Sequence, residues 1–208
     1  MGEDGRSAGN LELVGGQLCL DFANTVSAHS EGGREYLTSY DELLSWSLHA
    51  GILETAAAAT LRRWAAGRPD EAASVLGRGL AQREMIYGIF AAVAEGKRPR
   101  QEMLSGLNAA VRGVYARLQI SPSVVGFKWT WALEEIEPEQ ILWPIVRSAA
   151  ELLTSEDLGR VRKCGRDGCD WLFVDMSKNQ SRRWCSMNMC GSRVKSRRYY
   201  YRKKEEEV

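Results

Sequence analysis

The chain has 208 residues, enough for one ordinary domain or for one domain plus a small module. Its 44% hydrophobic and 26% charged residues exclude collagen-like, wholly disordered and disulfide-dense classes. The net charge of +1 hides an uneven distribution: residues 160–204 hold 14 Lys and Arg against 3 Asp, a net +11, which leaves −10 on the rest.

No apolar run approaches the roughly 18 residues of a membrane span. Residues 1–10 are Gly-rich and polar, without the basic-then-apolar layout of a signal peptide, and are expected to be a disordered N-terminus. A cytoplasmic protein without a membrane partner is the expectation. The basic end points to a polyanionic partner, with a solvated charged tail as the plainer alternative.

In chain order, residues 11–18 alternate like a short strand, and Leu18, Phe22 and Val26 take the i, i+4, i+8 spacing of a helix face. Asp21 and Asn24 are polar groups inside this apolar segment. They either cap or pin a loop, or they contact a ligand. Residues 30–38 read as a loop. Asp41 can cap a helix carrying Leu43, Leu44, Trp46, Leu48 and Ile52, with Gly51 at its end. An Ala-rich helix over 53–66 is broken at 67–70, and a long helix runs on to about Glu95. Its stripe is Ile86, Ile89, Phe90 and Val93, with Arg83 and Glu84 just before it. Gly96 and Pro99 precede a helix bearing Leu104, Leu107, Val111, Val114 and Leu118.

The period then changes. Phe127, Trp129, Trp131 and Leu133 alternate with smaller or polar residues, and Ser121-Pro122-Ser123 signals a turn before them, so a small hairpin is expected. Pro138 can start the next helix, with Ile141, Ile145, Leu152 and Leu153 on its apolar side; Pro144 implies a kink or a later start. The body is therefore mainly α with a minor β element. It has no phosphate loop, dinucleotide fingerprint or nucleophile elbow, and no enzyme is expected. If the body holds a small-molecule effector, Trp46, Trp129, Trp131 and Trp143 could line the pocket, with Asp21, Asn24 and Arg83 as polar anchors. The alternative is that these tryptophans are simply core.

Cysteine spacing carries the sharpest chemistry. Cys164, Cys169, Cys185 and Cys190 form C-x4-C, a 15-residue gap and C-x4-C. In a chain without a secretory signal this reads as one zinc site rather than two disulfides or free thiols. Each short loop presents two thiolates, and four soft ligands suit tetrahedral Zn²⁺. A four-thiolate site leaves no open position, so the ion would be structural. Cys19, within Leu18-Cys19-Leu20, reads as a small buried hydrophobe. His29 and His49 lie far off in sequence and read as ordinary side chains. Residues 160–204 are too few for a core of their own, so chelation is expected to unfold this end alone.

After Cys190 comes a run rich in Arg, Lys and Tyr. As a helix it would place Arg193, Arg197, Tyr200 and Lys204 on one stripe, and Val194 and Tyr201 on another against the metal knuckle. Arginines on such a helix could read guanine edges in a DNA major groove. Lys195, Arg198, Arg202, Lys203 and Lys204, with Arg182 and Arg183 ahead of the third cysteine, would add contacts, the terminal lysines to phosphates. Glu205, Glu206 and Glu207 sit unfavourably for a helix dipole and are expected to fray.

The run from Cys164-Gly165 through Trp171, Phe173, Asp175, Ser177, Arg182-Arg183-Trp184-Cys185-Ser186-Met187 to Cys190-Gly191-Ser192-Arg193 resembles the bacterial CGNR zinc finger. Ser192 stands where that family's name has Asn. Gly15-Gly16, Leu18, Leu20-Asp21-Phe22 and Asn24-Thr25 resemble the opening of the ABATE-type domain that usually precedes this finger. The resemblance implies a helical sensor or assembly domain over 11–157, a DNA-binding finger over 158–204 with the four cysteines as zinc ligands, and an acidic tail over 205–208. It implies a transcription regulator; the basic helix adds duplex DNA as partner, and the weak specific binding expected of one short finger adds a homodimer reading two half-sites. The alternative is a protein-interaction adaptor docking on RNA polymerase or another protein, with RNA binding as a third reading.

Overall fold

The computed structural model describes residues 5–29, 32–133 and 137–206, with the side chains at 198, 199, 201, 202 and 204–206 left out. Glycine and proline set most boundaries. Helix α1 (Leu18–Ala23) follows the Gly15-Gly16 pair, and α2 (Tyr40–His49) ends just before Gly51. Helix α3 (Thr55–Ala66) stops at Gly67, and Pro69 opens α4 (Pro69–Ala94), where its missing N–H costs nothing. Helix α5 (Gln101–Tyr115) leads into a hairpin of β1 (Leu118–Pro122) and β2 (Phe127–Trp131). A 3-10 turn over Pro138–Leu142 precedes α6 (Trp143–Leu153), so Pro144 marks a later helix start rather than a kink. Short strands β3 (Val161–Lys163) and β4 (Leu172–Val174) pair antiparallel, and α7 (Ser192–Glu206) ends the described chain.

Four local expectations are corrected. Residues 11–17 form no strand and Leu18 already opens α1; Leu11 is buried but Leu13 is exposed, and the Leu11 carbonyl accepts a hydrogen bond from His49 Nε2 (2.7 Å). Ser39, not Asp41, caps α2, because its Oγ accepts from the Glu42 N–H (3.1 Å) while Asp41 pairs with Arg62. The hairpin turn spans 123–126, and Ser121 and Pro122 belong to β1; Pro122 ends its strand, where no ladder donor is needed. Gly126 takes the left-handed φ of +79° that this turn requires. At the N-terminus, Ala8–Asn10 forms a 3-10 turn with Ala8 fully buried, so residues 5–10 are not disordered; residues 1–4 lie outside the description. At the other end α7 runs through Glu206 without fraying before it, and residues 207 and 208 lie outside.

The long helix α4 is the spine. It buries Ala72, Val75, Gly79, Arg83, Ile86, Ile89 and Phe90, a stripe extending further N-terminally than the expected one, whose Val93 is only partly buried. Phe22 and Trp46 pack at 5.1 Å between ring centroids in this core. One hydrophobic core joins these residues to Val161, Trp171, Leu172, Phe173 and Val174. The C-terminal module is thus not packed by metal alone. It is seated on the body, with β3 against α4 and β4 against α1.

That seating is also fastened by hydrogen bonds to backbone carbonyls of the body. The Val174 N–H donates to the Gly15 carbonyl (2.9 Å), and Trp171 Nε1 donates to the Val26 carbonyl (2.7 Å). Gly15 is packed so closely that a Cβ there would lie 2.8 Å from both the Asp21 nitrogen and the Leu20 Cβ. Only glycine fits without displacing α1.

Candidate metal centre and basic helix

Strand β3 delivers Cys164 and the loop before β4 delivers Cys169. The Cys164 N–H donates to the Trp171 carbonyl (2.9 Å), which closes this first knuckle. The second arm docks through Gly165, whose N–H donates to the Arg183 carbonyl (2.8 Å). Cys190 lies in a wide helical turn over Met187–Gly191 capped by Ser186, whose Oγ accepts from the Met189 N–H (3.2 Å).

All four sulfurs lie within 4.8 Å of one another and all four cysteines are buried. Separations of 3.8 Å (Cys169–Cys185), 3.7 Å (Cys169–Cys190) and 3.5 Å (Cys185–Cys190) match the edge of about 3.8 Å that a tetrahedron with Zn–S bonds of about 2.3 Å requires. They are far too long for disulfide bonds. Four thiols this close do not ionise independently: a thiolate at Cys164 is favoured by hydrogen bonds from its neighbours, while Cys185 and Cys190 beside it resist losing their protons. A divalent cation removes that resistance by binding four thiolates at once. The donor set therefore fits one structural zinc ion.

Cationic groups flank the thiols. Arg6, Arg166 and Arg193 line a small cleft beside Cys169 and Cys190. Burial works against the Arg166 charge, but the Cys190 and Cys169 sulfurs hold it above the ordinary arginine value. These cations offset part of the net 2− of a zinc tetrathiolate.

A second set of residues braces the arm and was not legible from sequence reasoning. Asp175 is fully buried; its carboxylate accepts from the N–H groups of Ser177 (2.9 Å) and Arg182 (2.9 Å). The Asp-x-Ser spacing was the available signal for this turn. Arg182, expected at DNA, lies over the Phe173 ring (4.4 Å) and donates to the carbonyls of Trp184 and Cys185. It braces the third ligand while remaining exposed.

Of the other expected DNA contacts, Arg183, Arg193, Lys195, Arg197 and Lys203 are exposed. Arg197 Nη1 lies 3.8 Å from the Asp167 carboxylate. The side chains of Arg198, Arg202 and Lys204 lie outside the described residues. Helix α7 starts two residues after Cys190, so the metal ligand fixes where the basic helix begins.

Most of the seven side chains expected around a ligand are engaged within the fold. Asp21 Oδ1 accepts from the Gly15 N–H (2.7 Å), and burial raises this carboxyl to about 6. Asn24 is committed to β4, Trp46 is wholly buried in the core, and Arg83 is clamped by Glu35 (2.7 Å on each of two nitrogens) and Glu84. Trp131 meets Trp143 edge-on at 5.5 Å, while Trp129 faces solvent. None of the seven lines the cavity of about 570 Å³ bounded by Trp64, Val75, Arg78, Arg117, Glu137 and Glu139. Its cations are already paired, Arg78 with Glu139 and Arg117 with Glu137. Cys19 is buried and its thiol is pushed up to about 12 by that burial, as a small core hydrophobe should be. His29 is hydrogen-bonded to Glu84 (3.0 Å) and stacked on Tyr87, remote in role from the metal centre.

Comparison with protein families agrees with this layout. The ABATE family, described as "Putative stress-induced transcription regulator", matches residues 16–156, and the CGNR zinc finger matches residues 160–203. No curated protein matches the chain.

Proposed function

The chain belongs to the ABATE family and ends in a CGNR zinc finger, and from that premise we propose that it is a bacterial transcription regulator that binds duplex DNA through α7. The supporting observation is the attachment of α7 to the metal knuckle. A helix that begins beside a zinc ligand has a fixed exit direction, and its described cations are exposed. Arg193 and Arg197, one helical turn apart, suit base-edge contacts in the major groove. Arg183, Lys195 and Lys203 suit phosphates, which give affinity and register without sequence information.

On this reading the acidic helical body senses a ligand or mediates dimerisation, and the chain carries out no catalytic step. A single short finger buries too little surface for tight specific binding, so a homodimer reading two half-sites is part of the proposal. The test is selection of genomic duplex fragments by zinc-loaded protein at near-physiological salt, with a chelated control. A recurrent motif enriched only with zinc supports the regulator. No enrichment by folded, zinc-loaded protein rejects it in favour of an adaptor that docks its basic helix on an acidic protein surface.

A further inference from the structure

The β1–β2 hairpin is an amphipathic ribbon turned the wrong way for a lone chain. Its register places Leu118 opposite Trp131, Ile120 opposite Trp129 and Pro122 opposite Phe127, so all six side chains share one face. The other face carries Gln119, Ser121, Lys128 and Thr130, with Ser121 and Thr130 hydrogen-bonded to each other (2.7 Å). Only the base of the apolar face reaches the body, where Trp131 meets Trp143. Beyond it Ile120 (63%), Trp129 (54%) and Phe127 (76%) are exposed. Val124 and Val125 stand at the tip at 104% and 89% exposure, where turn chemistry favours Gly, Asn or Asp.

We propose that this apolar hairpin face is where a second copy of the chain docks, ribbon face to ribbon face about a two-fold axis. The inference rests on the regulator reading only in naming the surface for the dimer invoked there. Three observations select a second copy. First, Ile120, Phe127 and Trp129 on this face and Val124 and Val125 at the adjoining tip expose several hundred Å² of contiguous apolar surface, more than a lone chain ordinarily leaves in water and of the order of the ~800 Å² each partner gives a standard interface. Second, Lys128 is the one charge in the two strands and lies on the opposite face, so two copies of an otherwise acidic body meet here without repulsion. Third, the remaining exposed large apolar residues beyond the hairpin's own surroundings are Leu13, Met176, Met187 and Tyr200, which belong to the N-terminal segment and the C-terminal module. Among the described residues no second apolar patch of this size offers a head-to-tail partner, which leaves the self-complementary, closed arrangement.

The experiment is sedimentation equilibrium of the full zinc-loaded chain between about 1 and 50 µM. The wild type should sediment as a dimer. Phe127→Thr with Trp129→Thr, which keeps strand propensity, should weaken self-association at least 100-fold with unchanged zinc content and circular dichroism. Lys128→Ala on the polar face should leave the dimer intact. A wild type that stays monomeric over the whole range overturns the proposal. So does a double variant that remains dimeric, or a monomeric wild type that binds phosphatidylglycerol vesicles through Phe127 and Trp129. DNA selection separates the two readings. Dimer without DNA enrichment leaves this interface standing and removes the regulator. DNA enrichment by a protein whose dimer survives the double variant does the reverse.

Discussion

The side-chain amide of Asn24 pairs with both backbone groups of Leu172: Nδ2 donates to the carbonyl (2.9 Å) and Oδ1 accepts from the N–H (2.8 Å). Helix α1's C-cap residue thus completes strand β4, 148 positions away, as a neighbouring strand would. Asn24→Ala leaves a donor and an acceptor buried without partners. At roughly 1–3 kcal/mol for each unsatisfied group, a loss of about 2–4 kcal/mol is expected in urea denaturation. A change below about 0.5 kcal/mol would mean that the pairing is incidental.

Zinc removal should reach beyond the finger. The sequence suggests that chelation unfolds only the C-terminal end, but β3 and β4 share the core of α1 and α4. Chelated protein should show faster amide exchange in α1 as well as in β4, and a lower melting temperature for the whole chain. Unchanged protection of residues 18–24 would restore the independent module.

The pH dependence of stability carries an Asp21 component. Burial raises its carboxyl from 3.8 to about 6 in the folded chain, while the Gly15 N–H and the charge of His49 pull the other way. The folded state therefore binds the proton more tightly. Stability from this group is gained as pH falls from about 6 towards 3.8 and is absent above about 6. Asp21→Asn keeps the acceptor for Gly15 and removes the ionisation. It should be stabilising at pH 7.5 by on the order of 3 kcal/mol, with the advantage vanishing near pH 4. Parallel stability curves for the two proteins between pH 4 and 7 would contradict this.

Arginine roles should separate in the finger. Arg193→Glu with Arg197→Glu should abolish duplex binding while one zinc per chain is retained. Arg182→Ala should instead speed zinc loss to a chelator, because its guanidinium holds the carbonyls of Trp184 and Cys185. Its effect on the salt dependence of DNA binding should be small. If Arg182→Ala keeps its zinc and lowers the salt slope by about one, Arg182 is a phosphate contact.

The guanidinium of Arg83 is a nearly buried cation in a carboxylate clamp. Glu35 holds the buried guanidinium through two bonds of 2.7 Å. Glu35→Gln leaves that charge half-compensated and should cost about 2–4 kcal/mol by chemical denaturation. Glu84, more exposed and held down to about 2 first by its hydrogen bond from His29, should matter less at neutral pH.

The sequence by itself determined what is local. Helix boundaries follow Gly and Pro, which act within a few residues. The hairpin follows its period of two, and the metal ligands follow a spacing that short loops enforce. Tertiary structure decided every pairing between distant residues. Nothing in the sequence around Asn24 and Arg83 names their partners; only the fold brings Leu172 and Glu35 to them. Trp46 and Trp129 look alike in sequence, yet one is sealed in the core and the other stands in solvent. Periodicity names an apolar face but not what covers it, because burial is a property of the assembled fold.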